Sequence, residues 1–323
     1  MTPLFDPRPW GRFDLSPIYD RRFQEKIGES WLTGDNCIVQ NGAFAGQPLA
    51  ELAARYERDL VGDAPLDGSR FPLLLKFLFP QEKLSVQVHP DDEAARTLGE
   101  PWGKTECWYV AHAEPGAEIG LGLKPGVTRA GFEDAIHQNR AEGLLNWIRV
   151  SAGDMIYVAG GTVHTLGPGS IIVETQQQSD TTFRLYDYGR PRELHLRDGL
   201  RVINERARSG KVRPRPFSKL DGNGNRLQPL LSAGYFIVER IELSTEQLFP
   251  ASAGKSSAQI LVAISGAGTV LAEGCEPVEL VKGGSVVIPA AIKQFRIQPR
   301  PKVQFLKSYV PGAPVPEPET FLD

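Results

Sequence analysis

Histidine, cysteine and methionine are scarce in this chain: five, three and two among 323 residues. The cysteines, Cys37, Cys107 and Cys275, are far apart, odd in number and in no CxxC pair. That excludes a disulfide framework and points to a reducing compartment, here the cytoplasm. Charge of one sign is also missing, since 36 Lys and Arg stand against 39 Asp and Glu for a net charge of -3. Without a basic field, nucleic acid is not an expected partner. Long apolar runs are absent too. The most apolar stretch, Phe71 to Pro80, is ten residues long and holds Lys76, too short to span a bilayer. The N-terminal stretch MTPLFDPRPWGRFDLSPIYDRRF carries charges throughout and no continuous apolar core, which argues against a signal peptide. No apolar stripe or heptad repeat demands assembly, so the expectation is a monomer that meets neither membrane nor nucleic acid.

What the chain does have is strand rhythm. Its length leaves room for one large or two ordinary domains. Residues 9–41 read as short strands with turns at Gly34-Asp35 and Asn41-Gly42, and Gln47 to Leu60 as an amphipathic helix. PLLLKFLF and LSVQVH read as two buried strands joined by a turn, and WYVAHA continues the strand that holds Lys104 and Glu106. Gly126 to Asn139 reads as a helix. IRV, DMIYV, SIIVETQ and TFRLYDY then follow as strands separated by glycine turns, the rhythm of an antiparallel barrel or sandwich. Leu196, Leu200 and Ile203 mark another helix, and SGKVRPRPFSKL reads as a solvated connector. Strand-like runs resume from Gln228 to Tyr309, before a proline-rich tail expected to be extended.

With so few histidines, each can be weighed. Gln87 and His89 lie two apart in a strand, so an amide oxygen and an imidazole share one face. Glu106 offers a carboxylate from a neighbouring strand, and His164 closes GDMIYVAGGTVH. Two neutral imidazoles, a carboxylate and an amide oxygen suit one divalent ion such as zinc. His112 sits near a turn, while His137 and His195 sit on helices, so all three read as surface residues.

The spacing Gly153-x5-Ala159-x-Gly161-x2-His164 is similar to the second motif of the cupin superfamily, departing at Ala159 and Pro168. QVHPDD (Gln87 to Asp92), GKTECWYV (Gly103 to Val110), GTVHTLG (Gly161 to Gly167) and QQSDTTFRLYDYGR (Gln177 to Arg190) together resemble type I phosphomannose isomerase in its shorter bacterial form. KIGESW at Lys26 to Trp31 extends the likeness toward the N-terminus, and Cys107 and Gly189 depart from it. The resemblance implies zinc held by Gln87, His89, Glu106 and His164, and a catalytic role for Arg184.

Interconverting an aldose and a ketose 6-phosphate moves a proton between C2 and C1 through an enediolate. The site then needs a base, an electrophile and a phosphate anchor. Arg184 is a permanent cation for the enediolate or the phosphate. Lys104 projects from Glu106's face and either shuttles protons or pairs with a substrate oxygen. Glu174 reads either as the base or as an ion-pair partner of Lys104 or Arg184. Ser85, on Gln87's face, reads as a phosphate ligand or a plain strand serine, and Asp187 as structural.

Gly283-x5-Pro289 followed by Gln294 repeats the spacing around His164, but no histidine follows His195. The expected fold is therefore mainly β, two cupin-like jelly-roll barrels with a few packed helices. Residues 1–210 form the metal-binding domain, 211–310 a metal-free copy and 311–323 the tail. Two other functions share this pattern: a different metal-dependent cupin enzyme, such as an iron oxygenase, and a non-catalytic sugar-phosphate sensor.

Overall fold

A strand buried along its whole length needs a packed layer on each face, and the runs LLLKFL and SIIVETQQ both have two. The computed structural model describes residues 1–64, 70–250 and 257–322. The first half supplies β1 (Leu4–Asp14), β2 (Arg22–Thr33), α1 (Leu49–Val61), β3 (Leu73–Leu78), β4 (Val86–Val88), α2 (Asp92–Leu98), β5 (Glu106–Ala113) and β6 (Glu118–Leu123). It continues through α3 (Arg129–His137), β7 (Leu145–Arg149), β8 (Met155–Val158), β9 (His164–Leu166), β10 (Ser170–Gln177), β11 (Phe183–Tyr186), α4 (Leu196–Val202) and β12 (Gly210–Val212). The second half adds β13 (Ser218–Lys219), β14 (Arg226–Ser232), β15 (Ile237–Leu243), β16 (Gln247–Pro250), β17 (Gln259–Ala272), β18 (Val278–Val281), β19 (Ser285–Ile288) and β20 (Gln294–Tyr309).

The chain is mainly β, as expected, with strands in three sheets. Seven run in the order β1-β2-β3-β10-β5-β8-β12, five in the order β11-β4-β9-β6-β7, and β13 to β20 make a third sheet of eight. None of these paths returns to its first strand among the described residues.

Residue parity sorts the layers, because successive side chains in a strand point to opposite faces. In the seven-stranded sheet, Leu78, Trp108, Ile156 and Ile172 face the five-stranded sheet, where Ile119, Leu121 and Leu166 meet them. Their odd-numbered neighbours Leu75, Phe77, Tyr109, Tyr157 and Val173 face the third sheet, packing in one core with Val238, Ile260, Val262 and Leu306 and with Leu52 of α1. On the outside of the five-stranded sheet, Val86, Val88 and Leu185 pack with Phe132 of α3 and Leu200 of α4. The order of layers is helices, five strands, seven strands, eight strands. Polar contacts join the halves as well: the Tyr19 hydroxyl donates to the Gly283 carbonyl at 2.8 Å, and the Thr175 and Ser308 hydroxyls lie 3.3 Å apart.

Four features depart from expectation. β1 and β2 are 11 and 12 residues long, not short, and pair with register shifts between Asp6 and Asp14. β3 and β4, expected as two buried strands joined by a turn, lie in different sheets, because the connection between them crosses from one layer to the other. The basic segment read as a solvated connector contains β12, which pairs with β8, and β13, which pairs with β14. Its backbone supplies partners to an open sheet edge while its charged side chains stay outside. The tail is extended but tied down: Leu322 N–H donates to the Lys211 carbonyl at 2.7 Å, and Phe321 stacks on Tyr157 with ring centroids 6.5 Å apart. Gly210 makes room for it, since a Cβ there would lie 2.5 Å from Phe321. Among the described residues no helix is long and apolar enough to cross a membrane.

Because the seven-stranded sheet and the third sheet share one core, the two halves should unfold together. Phe77→Ala, at a position with 0% exposure, should cost about 3–5 kcal/mol. All five tryptophans lie in the first half, so coincident denaturant transitions by tryptophan fluorescence and far-UV circular dichroism are the expected result; separated transitions would mean independent cores.

Candidate metal centre

The cross-strand row Arg184–Gln87–His164 runs over β11, β4 and β9 of the five-stranded sheet. Directly opposed residues share a face, so all three side chains rise toward the seven-stranded sheet. From that sheet Glu106, the first residue of β5, comes down between them, and His89 enters from just beyond β4. His89, Glu106 and His164 bring their donor atoms within 4.8 Å of one another, and all three are buried. Glu106 Oε1 lies 3.4 Å from His164 Nε2, and Glu106 Oε2 lies 3.6 Å from His89 Nε2. Gln87 completes the group, its Nε2 3.2 Å from His164 Nε2; a half-turn of the amide exchanges its nitrogen for its oxygen.

Both imidazoles are oriented from behind. His89 Nδ1 faces the Thr181 carbonyl and His164 Nδ1 the Thr162 carbonyl, each at 2.9 Å. A carbonyl only accepts, so each ring carries its proton on Nδ1 and turns the Nε2 lone pair inward, as metal-bound histidines do. Trp108 packs edge-on against His164, with centroids 5.4 Å apart. His89 Nε2 and both Glu106 carboxylate oxygens are buried without a hydrogen-bond partner. Buried polar atoms ordinarily have partners, so this convergence fits a cation.

The electrostatics agree. Burial depresses the His89 pKa well below its usual value, helped by the positive charge of Lys104. Burial also brings His164 down to about 4. Glu106 moves the other way: burial and the charge of Glu174 push it up to about 8, against the pull of Lys104, whose Nζ lies 3.7 Å from Oε2.

Tight backbone approaches hold these residues in register. The loop Pro90–Asp92 is clasped between Gly103 and Gly160. A Cβ on Gly103 would lie 2.6 Å from the Asp91 carbonyl carbon, and one on Gly160 would lie 2.6 Å from Asp91 Cα. Asp91 caps α2 by accepting from Ala94 N–H at 2.8 Å. Lys104 lies two residues before the start of β5, not within it as expected from sequence; its N–H donates to the Pro90 carbonyl at 2.8 Å, which sets its side chain beside Glu106.

The remaining site candidates divide. Arg184 flanks Gln87; one guanidinium nitrogen donates to the Glu193 carbonyl at 2.7 Å, and its buried Nε has no partner. Its backbone is pinned on both sides by His195, whose Nδ1 accepts from Arg184 N–H at 3.1 Å and whose N–H donates to the Arg184 carbonyl at 2.8 Å. That gives a supporting place to a histidine read as surface. Ser85 is buried just ahead of β4. Glu174 is tied at both oxygens, one to Lys76 Nζ at 3.2 Å and the other accepting from Trp108 Nε1 at 2.9 Å. Asp187 holds Arg190 and Arg192, with contacts of 2.9 and 2.6 Å.

Sequence reasoning missed Lys76, which sits between Glu174 and Glu29, the latter at 3.5 Å. Burial alone would strip its proton, but the two carboxylates reverse that and raise its pKa. Burial likewise disfavours charge on Glu29, yet Lys76 and Arg8 bring it down to about 2. The signal was present in LLLKFL: one charge inside a strand buried on both faces must have a buried counter-charge.

Comparison with known proteins supplies the family. A family model described as phosphomannose isomerase type I, catalytic domain, matches residues 23–133. A mannose-6-phosphate isomerase of Bacillus subtilis (strain 168) is 41% identical over 213 residues, 62% of this chain and 66% of that protein. One from Streptococcus mutans serotype c is 35% identical over 84% of this chain and 85% of its own length. The crystal structure of mannose 6-phosphate isomerase from Bacillus subtilis superposes with a TM-score of 0.83 at 31% identity, covering 96% of this chain and 98% of that one.

At pH 7 the metal-free site holds neutral histidines and a largely protonated Glu106. A cation requires the carboxylate, so binding at pH 7 should release about one proton, and by about pH 9 almost none. Apparent affinity should therefore climb with pH through about 8 and then level off. Calorimetric zinc titrations in two buffers of different ionisation heat would measure the proton directly; no buffer dependence at pH 7 would contradict the protonated carboxyl.

Proposed function

The chain belongs to the type I phosphomannose isomerase family, and from that premise we propose that it interconverts mannose 6-phosphate and fructose 6-phosphate at one zinc ion held by Gln87, His89, Glu106 and His164. The observation that carries this reading is the convergence, within 4.8 Å, of two inward Nε2 atoms and a buried carboxylate that has no hydrogen-bond partner. Two imidazole nitrogens and two oxygens match the donor preference of zinc. When bound, the ion supplies a positive charge that polarises the sugar oxygens.

The side chains divide the remaining work. Lys104, with its Nζ 3.7 Å from Glu106, is the group we assign to moving a proton at the sugar. Arg184 keeps its charge throughout, and its unpartnered Nε offers a donor to the enediolate or the phosphate. Ser85, on the same face as Gln87, adds a hydroxyl for the phosphate. For Glu174, engagement by both Lys76 and Trp108 favours a positioning role over that of base.

We read the architecture as cupin-like, with residues 1–210 as the catalytic domain, 211–310 as a metal-free second copy and 311–323 as the tail. The support is local. Gly153 (φ +94) precedes β8 and His164 opens β9; Gly283 (φ +81) precedes β19 and Gln294 opens β20. A monomer working in the cytoplasm is the corresponding proposal for the whole protein.

Glu106→Ala and His164→Ala should lose both metal and activity, while Arg184→Ala should keep one zinc per chain and lose turnover by about 100-fold or more. The assay couples fructose 6-phosphate formed from mannose 6-phosphate to a dehydrogenase, on protein stripped by a chelator and titrated with zinc. Near-normal kcat in Arg184→Ala would remove that residue from the chemistry. Metal binding without isomerisation would move the function to a sensor or another metal-dependent cupin enzyme.

A further inference from the structure

We propose that Tyr235, supplied by the C-terminal half, is a positioning residue for the reaction through Lys104. Asp92 is the hub of the connection. Its Oδ2 accepts from the Tyr235 hydroxyl at 2.7 Å, while its Oδ1 accepts from Gly103 N–H at 2.8 Å and from Gln177 Nε2 at 3.0 Å. Gln177 returns its own Oε1 to Thr105 N–H at 2.8 Å, and the Thr105 hydroxyl accepts from Gly160 N–H at 3.2 Å. The residues on both sides of Lys104 thus hang from one carboxylate, and Tyr235 is its only partner from the C-terminal half among the described residues.

The effect should fall on Lys104 and spare the donor cluster. Glu106 is held by strand pairing, opposite Val158 on one side and Gln176 on the other. Lys104 precedes that ladder, so its placement depends on the side-chain hub, on its own backbone bond to Pro90 and on the bond that Gln177 N–H donates to the Thr105 carbonyl at 3.1 Å. Carboxylate hydrogen bonds fix geometry strongly, and catalytic groups displaced by a fraction of an ångström lose rate before they lose binding. This gives the residues after β12, which include no histidine, a hold on the chemistry through Asp92.

The inference rests on the isomerase reading, and its test separates the two. Tyr235→Phe should keep one metal per chain and the wild-type visible spectrum of the cobalt(II)-substituted protein. Its kcat should fall about tenfold with KM unchanged, and amide exchange in the segment Gly103–Thr105 should accelerate. In a Lys104→Gln background the same substitution should cost no further rate. Wild-type kcat in zinc-loaded Tyr235→Phe would overturn the proposal, as would a loss accompanied by a changed cobalt spectrum, which would locate the effect in the metal ligands. If the wild-type protein binds cobalt(II) yet does not isomerise, the isomerase reading fails by itself. Exchange at Gly103 and Thr105 then decides the hydrogen-bond route, and unchanged exchange refutes it.

Discussion

The centre of this protein is organised by one carboxylate placed between two sheets without a hydrogen-bond donor for either oxygen. Glu106 is fully buried and neither oxygen has a hydrogen-bond partner. Stranding a charge there costs several kcal/mol, and the surrounding groups divide according to how they meet that cost. The histidines remain neutral and turn lone pairs inward. Lys104 approaches to 3.7 Å without offsetting the burial. A cation is the group that satisfies all of these atoms at once.

A second set of buried charges lies next to the first and is balanced internally. Lys76 sits between Glu29 and Glu174, Arg8 holds the outer side of Glu29 at 3.0 Å, and Trp31 and Trp108 donate their indole N–H groups to the two carboxylates. Each member has a partner, so the row can stay ionised in a low-dielectric layer. Its consequence for the site is electrostatic: the negative charge of Glu174 reinforces the burial of Glu106. Glu174 thus acts on Glu106 by charge while its own oxygens are held by Lys76 and Trp108.

The third sheet contributes without adding a donor atom. Its apolar face fills the back of the seven-stranded sheet, so residues of β3, β5 and β10 that point away from the site are as buried as those that point toward it. This sandwich makes a strand such as SIIVETQQ possible, in which every residue is buried and only parity decides whether it meets the site or the interface. Tyr235 and the strapped tail add polar ties across the same boundary.

Much of this was legible in the residue order. Period-two patterning located the strands, and helical spacing located α1 and α3. The spacing of Gln87, His89, Glu106 and His164 singled out four side chains that do come together, because a strand fixes which neighbours share a face before any partner is known. Layer assignment was not legible. An apolar strand reads the same in either sheet, so nothing in β3 and β4, read as two buried strands joined by a turn, told that they belong to different layers, and a basic segment concealed the edge strand β12. Long-range pairing decided the rest. That Lys76 meets Glu174, that His195 pins Arg184, and that Tyr235 reaches Asp92 are contacts between residues 98, 11 and 143 positions apart, and no local pattern encodes which distant donor will face which acceptor. Sequence by itself determined the donor types and the faces they share; only the tertiary structure decided their partners, because desolvation between packed layers sets the cost of leaving any one of them alone.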